Sequence, residues 1–209
     1  MKRNSKIQHM TIFALFLAIE LVLLFTQLGY LRIGPLSATL MHIPVIAASI
    51  LLGTKYGMAL GLVFGLTSVW NATMTPGITS FVFSPFVTVA GVTGGFQSLI
   101  IAIVPRVLLG WIAGALYSLL DKKMADAPAA GIAACAATLC HTFMVLGLIA
   151  LFYGEAYANA INVASSALFA YLGTVILTNG LSEAALAAII CMALVKALRP
   201  SARPVMQSK

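Results

Sequence analysis

The sequence predicts an all-α integral membrane protein with six transmembrane helices in one bundle. Of its 209 residues, 61% are apolar and only 8% are charged, and the mean hydropathy is +1.05. A soluble domain carries about 45–50% apolar and about 25% charged residues. This chain therefore has too few charges to cover a globule in water, which excludes a soluble enzyme, a disordered protein and a nucleic-acid-binding domain. Lipid must cover most of its surface.

The six predicted spans are apolar runs separated by glycine, proline or charged residues. A full span needs about 20 apolar residues. The second and third runs are shorter and are joined by a tight turn at 53–55, so they form either a hairpin of short spans or a re-entrant pair. The whole chain, 1–209, is expected to be a single domain. The spans are roughly 7–29, 37–52, 55–70, 98–120, 127–152 and 170–197.

The connection at about 71–97 has the composition of a loop that covers the bundle. It contains no charged residue, and proline, glycine, serine and threonine interrupt it repeatedly. Phe81, Phe83 and Phe86 give it the aromatic content of a buried segment. We therefore expect a lid-like loop that folds down onto the helices.

The basic residues predict the orientation of the chain. With both termini in the cytoplasm, ten lysines and arginines fall in cytoplasmic segments and only Arg32 falls in an external loop. An excess of basic residues on one side is typical of cytoplasmic loops. The net charge of +7 is therefore a signal of membrane topology and not a nucleic-acid patch.

Polar residues within the spans mark the candidate binding site, because a charge in the bilayer is costly. The charged residues are Glu20, Arg106 and Glu183. The Arg106 guanidinium suits a carboxylate, and its alternative role is a structural ion pair with Glu183. Asn179 lies four residues before Glu183, so both share one face of the last helix and indicate a wet cavity.

Four further residues complete the predicted substrate site. His141 lies mid-span in the fifth helix, where it either contacts substrate or makes a packing hydrogen bond. His42 precedes Pro44, which frees a backbone carbonyl, so His42 either contacts substrate or caps that carbonyl. Trp70 and Asn71 end the third span, where tryptophan is also expected as an interface anchor.

Catalytic, nucleotide-binding and metal motifs are missing. The sequence contains no H-E-x-x-H, G-x-S-x-G or Walker motif, so this chain cannot itself hydrolyse ATP in the P-loop manner. The three cysteines lie in apolar runs without a C-x-x-C pair, and neither a metal site nor a cofactor is expected. The chain is expected to bind or carry a small molecule.

Small residues recur at four-residue spacing, which lets helix backbones approach closely in lipid. We expect the two glycine sets to pack helices within the chain and the alanine pair to face a partner. The sets are Ala14 and Ala18, then Gly57, Gly61 and Gly65, then Gly110 and Gly114.

Six motifs follow one another along nearly the whole chain, at 34–46, 51–57, 61–68, 83–86, 105–110 and 179–184. In content and order they resemble the substrate-binding S components of energy-coupling factor (ECF) transporters. The Pro-Arg-x-Leu-x-Gly block at 105–110 and the His-Ile-Pro block at 42–44 are most similar to the branch that includes the pantothenate S components.

The resemblance implies a vitamin site near the outer face of a prokaryotic plasma membrane, with pantothenate as the expected vitamin. It also implies a transmembrane coupling protein and two ATPase subunits as partners. The family carries an Ala-x-x-x-Ala motif that docks on the coupling protein, and Ala14 and Ala18 match it. Relatives often have a Thr-Asn-Thr-like run in the fifth helix, where this chain has Leu-Cys-His-Thr at 139–142.

Two other functions remain open at this stage. One is a stand-alone secondary carrier of a small carboxylate or a nucleobase-like compound, which would need no ATPases. The other is an intramembrane enzyme that uses His141 and Glu183. Uptake measured with and without a coupling module separates the first from an ECF component, and product analysis on the purified protein separates the second.

Overall fold

The computed structural model describes residues 5–26, 29–33 and 36–206. Helices dominate these residues, and two short antiparallel hairpins lie between them. The helices are α1 (Ser5–Phe25), α2 (His42–Leu52), α3 (Thr54–Met74), α4 (Phe96–Leu120), α5 (Asp126–Ala160), α6 (Leu168–Val175) and α7 (Leu181–Met206). The strands are β1 (Tyr30–Ile33), β2 (Leu36–Thr39), β3 (Thr88–Val89) and β4 (Val92–Thr93).

Five helical stretches of the described chain are long and apolar enough to cross a membrane. They are α1, α3, α4, α5 and the continuous stretch Ser165–Leu198. The prediction of a short third span is wrong, because α3 has 21 residues. The all-helical membrane class is confirmed at this level.

The second predicted span, 37–52, is a shorter helix than expected. Residues 37–39 belong to β2, and α2 begins only at His42. Pro44 then lies in the first turn of α2, where a missing N–H breaks no helical hydrogen bond. At 1.5 Å per residue the 11 residues of α2 extend only about 16 Å. Every residue of α2 is buried, so this helix lies inside the protein.

The two longest helical stretches, α5 and Ser165–Leu198, are each interrupted. Tyr153 has φ −134° and ψ 19°, which kinks α5 just after the predicted end of the fifth span at 152. The sixth predicted span, 170–197, contains a π-helical segment at Ile176–Gly180 between α6 and α7. Such π segments are rare and are frequent at functional sites.

Glycines allow α3 and α4 to pack with their backbones in close contact. A Cβ atom at Gly61 would overlap the carbonyl oxygen of Arg106, and one at Gly110 would overlap the backbone of Gly57. The glycine stripes therefore pack within the chain, as predicted. Ala14 and Ala18 instead lie on the exposed face of α1.

The buried apolar residues form two clusters. The larger one draws its residues from the helices α1 through α5 and from α7, and it includes Met41, Ile46 and Phe64. The smaller one joins the loop after α3 to α4, α5 and α6 and includes Ile101 and Tyr157. We call these the inner and outer clusters, and the cavity described below is lined by members of both.

The loop between α3 and α4, residues 75–95, packs onto the bundle. We call it the lid loop; its bounds are narrower than the predicted 71–97 because α3 runs to Met74 and α4 begins at Phe96. It contains a 3-10 turn at Ser80–Val82 and the β3–β4 hairpin. Ala90 and Gly91 both have positive φ, 51° and 80°, as a two-residue hairpin turn requires. Phe81 is fully buried in the outer cluster.

Candidate substrate-binding site

A cavity of about 190 Å³ lies between α3, α4, α5, the π segment, α7 and the lid loop. One water needs roughly 10–15 Å³ of such space, so the cavity has room for a small organic molecule. Apolar side chains of α5 form one part of the wall, and polar side chains from several elements form the rest. Five of the predicted site residues line it: Asn71, Arg106, His141, Asn179 and Glu183.

The Arg106 guanidinium is held in place by the proline that precedes it. Pro105 lies inside α4 and has no N–H, so it leaves the carbonyl of Ile101, four residues earlier, without its helical donor. Arg106 Nη1 donates a hydrogen bond to that oxygen at 2.6 Å. The Pro-Arg pair thus creates an acceptor and satisfies it with the adjacent side chain.

Two phenyl rings fix the guanidinium further. The Cζ atom of Arg106 lies 5.3 Å from the ring centroid of Phe64 and 5.2 Å from that of Phe83. Cation–π contacts of this kind each contribute about 0.5–2 kcal/mol, more when desolvated. One ring comes from α3 and the other from the lid loop, so the cation connects the lid loop to the bundle. A positive charge in this fixed orientation suits a carboxylate.

Glu183 and Asn179 reach the cavity from the last helical stretch. Glu183 Oε1 accepts a hydrogen bond from the backbone N–H of Thr39 at 2.7 Å. Asn179 lies in the π segment, which changes the helical register just before Glu183. Both side chains line the cavity, as does Arg106.

His141 lies on the α5 wall of the cavity and is 5% exposed. Its ring centroid is 6.1 Å from that of Phe64, so the imidazole lies beside the aromatic support of Arg106. Its Nε2 atom has no hydrogen-bond partner among the residues that the structure describes. On the α3 wall, the Oδ1 atom of Asn71 accepts a hydrogen bond from Thr75 Oγ1 at 2.9 Å.

Two predicted site residues lie outside the cavity lining. Trp70 is 54% exposed on the surface of α3, which fits its alternative role as an interface anchor. His42 is fully buried at the start of α2 and is not among the residues that line the cavity.

Phe64, Phe83 and Thr39 line the site but were not predicted from the sequence. Phe64 and Phe83 are apolar, so the cost of burying charge does not mark them. Phe83 was identifiable only as part of the aromatic content of the predicted lid. Thr39 contributes its backbone N–H, for which the side-chain pattern carries no signal.

The lid loop is fastened to the bundle at its α4 end. The Tyr153 hydroxyl accepts a hydrogen bond from the backbone N–H of Gly95 at 2.9 Å and is 2.8 Å from Ser98 Oγ. Ser98 Oγ also donates to the carbonyl of Phe81 at 2.7 Å. The kink in α5 therefore places a hydroxyl at the junction of the lid loop and α4.

Known proteins with similar sequences identify the family. A family model described as ECF transporter, substrate-specific component, matches residues 8–195. The chain belongs to this family. It is accordingly a multi-pass membrane protein and the substrate-binding component of a transporter. A helical bundle that encloses a cavity with polar lining residues agrees with this role.

Two relatives of this S component carry more specific names. A pantothenic acid transporter PanT of Lactococcus lactis subsp. cremoris is 38% identical over 200 residues, which cover 94% of this chain and 96% of the relative. A pantothenate transporter PanT of Leuconostoc mesenteroides subsp. mesenteroides is 31% identical over 120 residues, or 55% of this chain and 53% of the relative.

Proposed function

We propose that this S component binds pantothenate and delivers it across the membrane as part of an ECF-type importer driven by ATP hydrolysis in partner subunits. The observation that carries the proposal is the Arg106 guanidinium, which lines the cavity between two phenyl rings. Pantothenate carries one carboxylate, and the relative with 38% identity is named for its transport.

In this proposal the carboxylate of pantothenate binds Arg106 by charge-assisted hydrogen bonds. The branched apolar centre of pantothenate packs on Val145, Leu146 and Ile149 of the α5 wall. Its amide group is within the class of ligands that Asn71 and Asn179 hydrogen-bond. His141 and Glu183 complete the polar lining. The ligand is thus bound by both faces of the cavity, polar and apolar.

The proposed orientation has both termini in the cytoplasm and six membrane segments, with α2 as the short second segment. The positive-inside distribution of the basic residues supports it. The coupling protein docks on the exposed face of α1. That face carries Ala14 and Ala18, whose small side chains allow the close backbone approach by which helices associate in lipid.

Binding of pantothenate to the purified chain tests the proposal. Isothermal titration calorimetry in detergent or nanodiscs is expected to give saturable one-to-one binding of pantothenate, and mass spectrometry of small molecules that co-purify is expected to find it. A purified, folded chain that binds another vitamin but not pantothenate contradicts the substrate. Uptake of pantothenate without any coupling module favours a stand-alone carrier instead.

A further inference from the structure

The Glu183 carboxylate connects the cavity to the β1–β2 hairpin. Its Oε1 atom accepts the Thr39 backbone N–H at 2.7 Å, across 144 positions of the chain. Glu183 and Thr39 both line the cavity. This bond is therefore a tether between two distant segments, made at the surface where a ligand would lie.

Thr39 in turn fastens both ends of the hairpin together. Its Oγ1 atom donates to the carbonyl of Gly29 at 2.8 Å and accepts the backbone N–H of Met41 at 3.2 Å. The backbone N–H of Leu40 also donates to the Gly29 carbonyl, at 3.1 Å. Two of these bonds involve Thr39 and the third joins its neighbour Leu40 to Gly29, so Thr39 lies where the hairpin is closed.

The second oxygen of Glu183 is available to a ligand. Within the described ranges only Oε1 has a hydrogen-bond partner, and Glu183 is partly exposed and lines the cavity. A carboxylate oxygen accepts hydrogen bonds. A ligand that enters this cavity therefore meets an acceptor that requires an O–H or N–H donor.

We propose that Glu183 couples the substrate to the β1–β2 hairpin. Its Oε2 atom accepts a hydrogen bond from a hydroxyl group of the substrate, and its Oε1 atom holds Thr39 and so orders the hairpin. The inference rests on the proposed function, since it assigns the hydroxyl groups of pantothenate to Glu183 and the carboxylate to Arg106. The site then selects molecules that carry an anion at one end and a hydrogen-bond donor at the other.

Selection follows from the cost of an unpaired acceptor. A ligand without the hydroxyl groups displaces water from Oε2 but donates no hydrogen bond to it. The lost hydrogen bond, if made to a charged group, contributes about 1.5–3 kcal/mol. Since about 1.4 kcal/mol corresponds to a factor of ten, the expected discrimination is tenfold or more. A merely structural Glu183 would not discriminate.

The experiment compares pantothenate with the analogue in which hydrogen replaces both hydroxyl groups. Binding of each is measured by calorimetry on the full chain, on Glu183→Gln and on the matched control Glu155→Gln. Glutamine keeps a carbonyl oxygen for the Thr39 N–H. Its amide nitrogen cannot accept a hydrogen bond from a hydroxyl and can only donate a weaker, neutral one to the hydroxyl oxygen. Glu155 is exposed on α5 and lies outside the cavity, so Glu155→Gln makes the same change of charge away from the site.

The unaltered chain and Glu155→Gln are expected to bind pantothenate at least tenfold more tightly than the analogue. In Glu183→Gln the ratio is expected to fall below threefold. Hydrogen exchange of the backbone amides at 29–33 and 36–39 is expected to slow with pantothenate but not with the analogue. Because the analogue comparison needs no substitution, it remains informative if Glu183→Gln is unstable.

An unchanged ratio in Glu183→Gln, or no discrimination by the unaltered chain, overturns the coupling and leaves the proposed function intact. Failure of the unaltered chain to bind pantothenate at all overturns both. The two failures are therefore distinguishable from the first titration.

Discussion

The replacement of Arg106 by alanine is expected to remove the carboxylate contact and to weaken pantothenate binding strongly. The guanidinium lies 5.3 Å and 5.2 Å from two ring centroids and lines the cavity. A hydrogen bond to a charged group contributes about 1.5–3 kcal/mol, which corresponds to a loss of about 10- to 150-fold in affinity. Arg106→Lys keeps the charge but loses the planar fork, so its affinity is expected to fall in the same range.

A thermodynamic cycle separates binding from stability. Arg106→Ala also leaves the Ile101 carbonyl without the donor that Nη1 supplies, so a lower melting temperature is expected whatever the role in binding. The cycle therefore uses a second change in the ligand, the amide of the pantothenate carboxylate. Calorimetry is run with both ligands on the unaltered chain, on Arg106→Ala and on the exposed charge control Lys55→Ala.

Amidation is expected to weaken binding to the unaltered chain and to Lys55→Ala by tenfold or more, and to have little effect on Arg106→Ala. An equal effect of amidation on all three proteins refutes the contact between Arg106 and the carboxylate. In that case the structural alternative remains, in which Arg106 balances Glu183. The double change Arg106→Met with Glu183→Leu would then restore the melting temperature that the single change lowers.

Three further perturbations test other parts of the structure. Gly61→Ala places a Cβ against the Arg106 carbonyl, and overpacking of this kind costs about 1–3 kcal/mol. Weaker pantothenate binding is therefore expected. Gly147 has open space around it, so Gly147→Ala is the control that is expected to bind normally. Ala18→Trp is expected to abolish co-purification with the coupling protein while pantothenate binding persists, and a normal yield of complex would refute the docking face. Tyr153→Phe removes the hydroxyl that fastens the lid loop. With ligand bound, hydrogen exchange at 75–95 is therefore expected to be faster in Tyr153→Phe than in the unaltered chain, and equal exchange would contradict that attachment.

Hydropathy predicted the membrane class and most helices because apolar runs long enough for a bilayer leave little ambiguity. It failed where a helix has another role. The helix α2 is apolar because it is buried inside the protein, and hydropathy does not distinguish burial in protein from burial in lipid. The π segment at Ile176–Gly180 is likewise invisible, because its residues continue the apolar composition of the flanking helices.

The site was predicted to the extent that bilayer energetics marks polar residues. Arg106, His141 and Glu183 are costly in a span, and the structure brings them to one cavity. Trp70, which ends the third predicted span with Asn71, was also included, but it is an amphipathic residue exposed on the surface of α3. It could not select Phe64, whose role is to hold a cation, since an aromatic residue in a span is unremarkable by composition.

Uptake of radiolabelled pantothenate tests the central claim most directly. Cells that lack their own pantothenate uptake are given this chain alone, an ECF coupling module alone, or both. We predict accumulation only when both are present, and its loss when the ATPase subunits are inactivated. Equal accumulation with the chain alone, or none with both present and correctly assembled, would contradict the assignment of this protein as the pantothenate-binding component of an ECF importer.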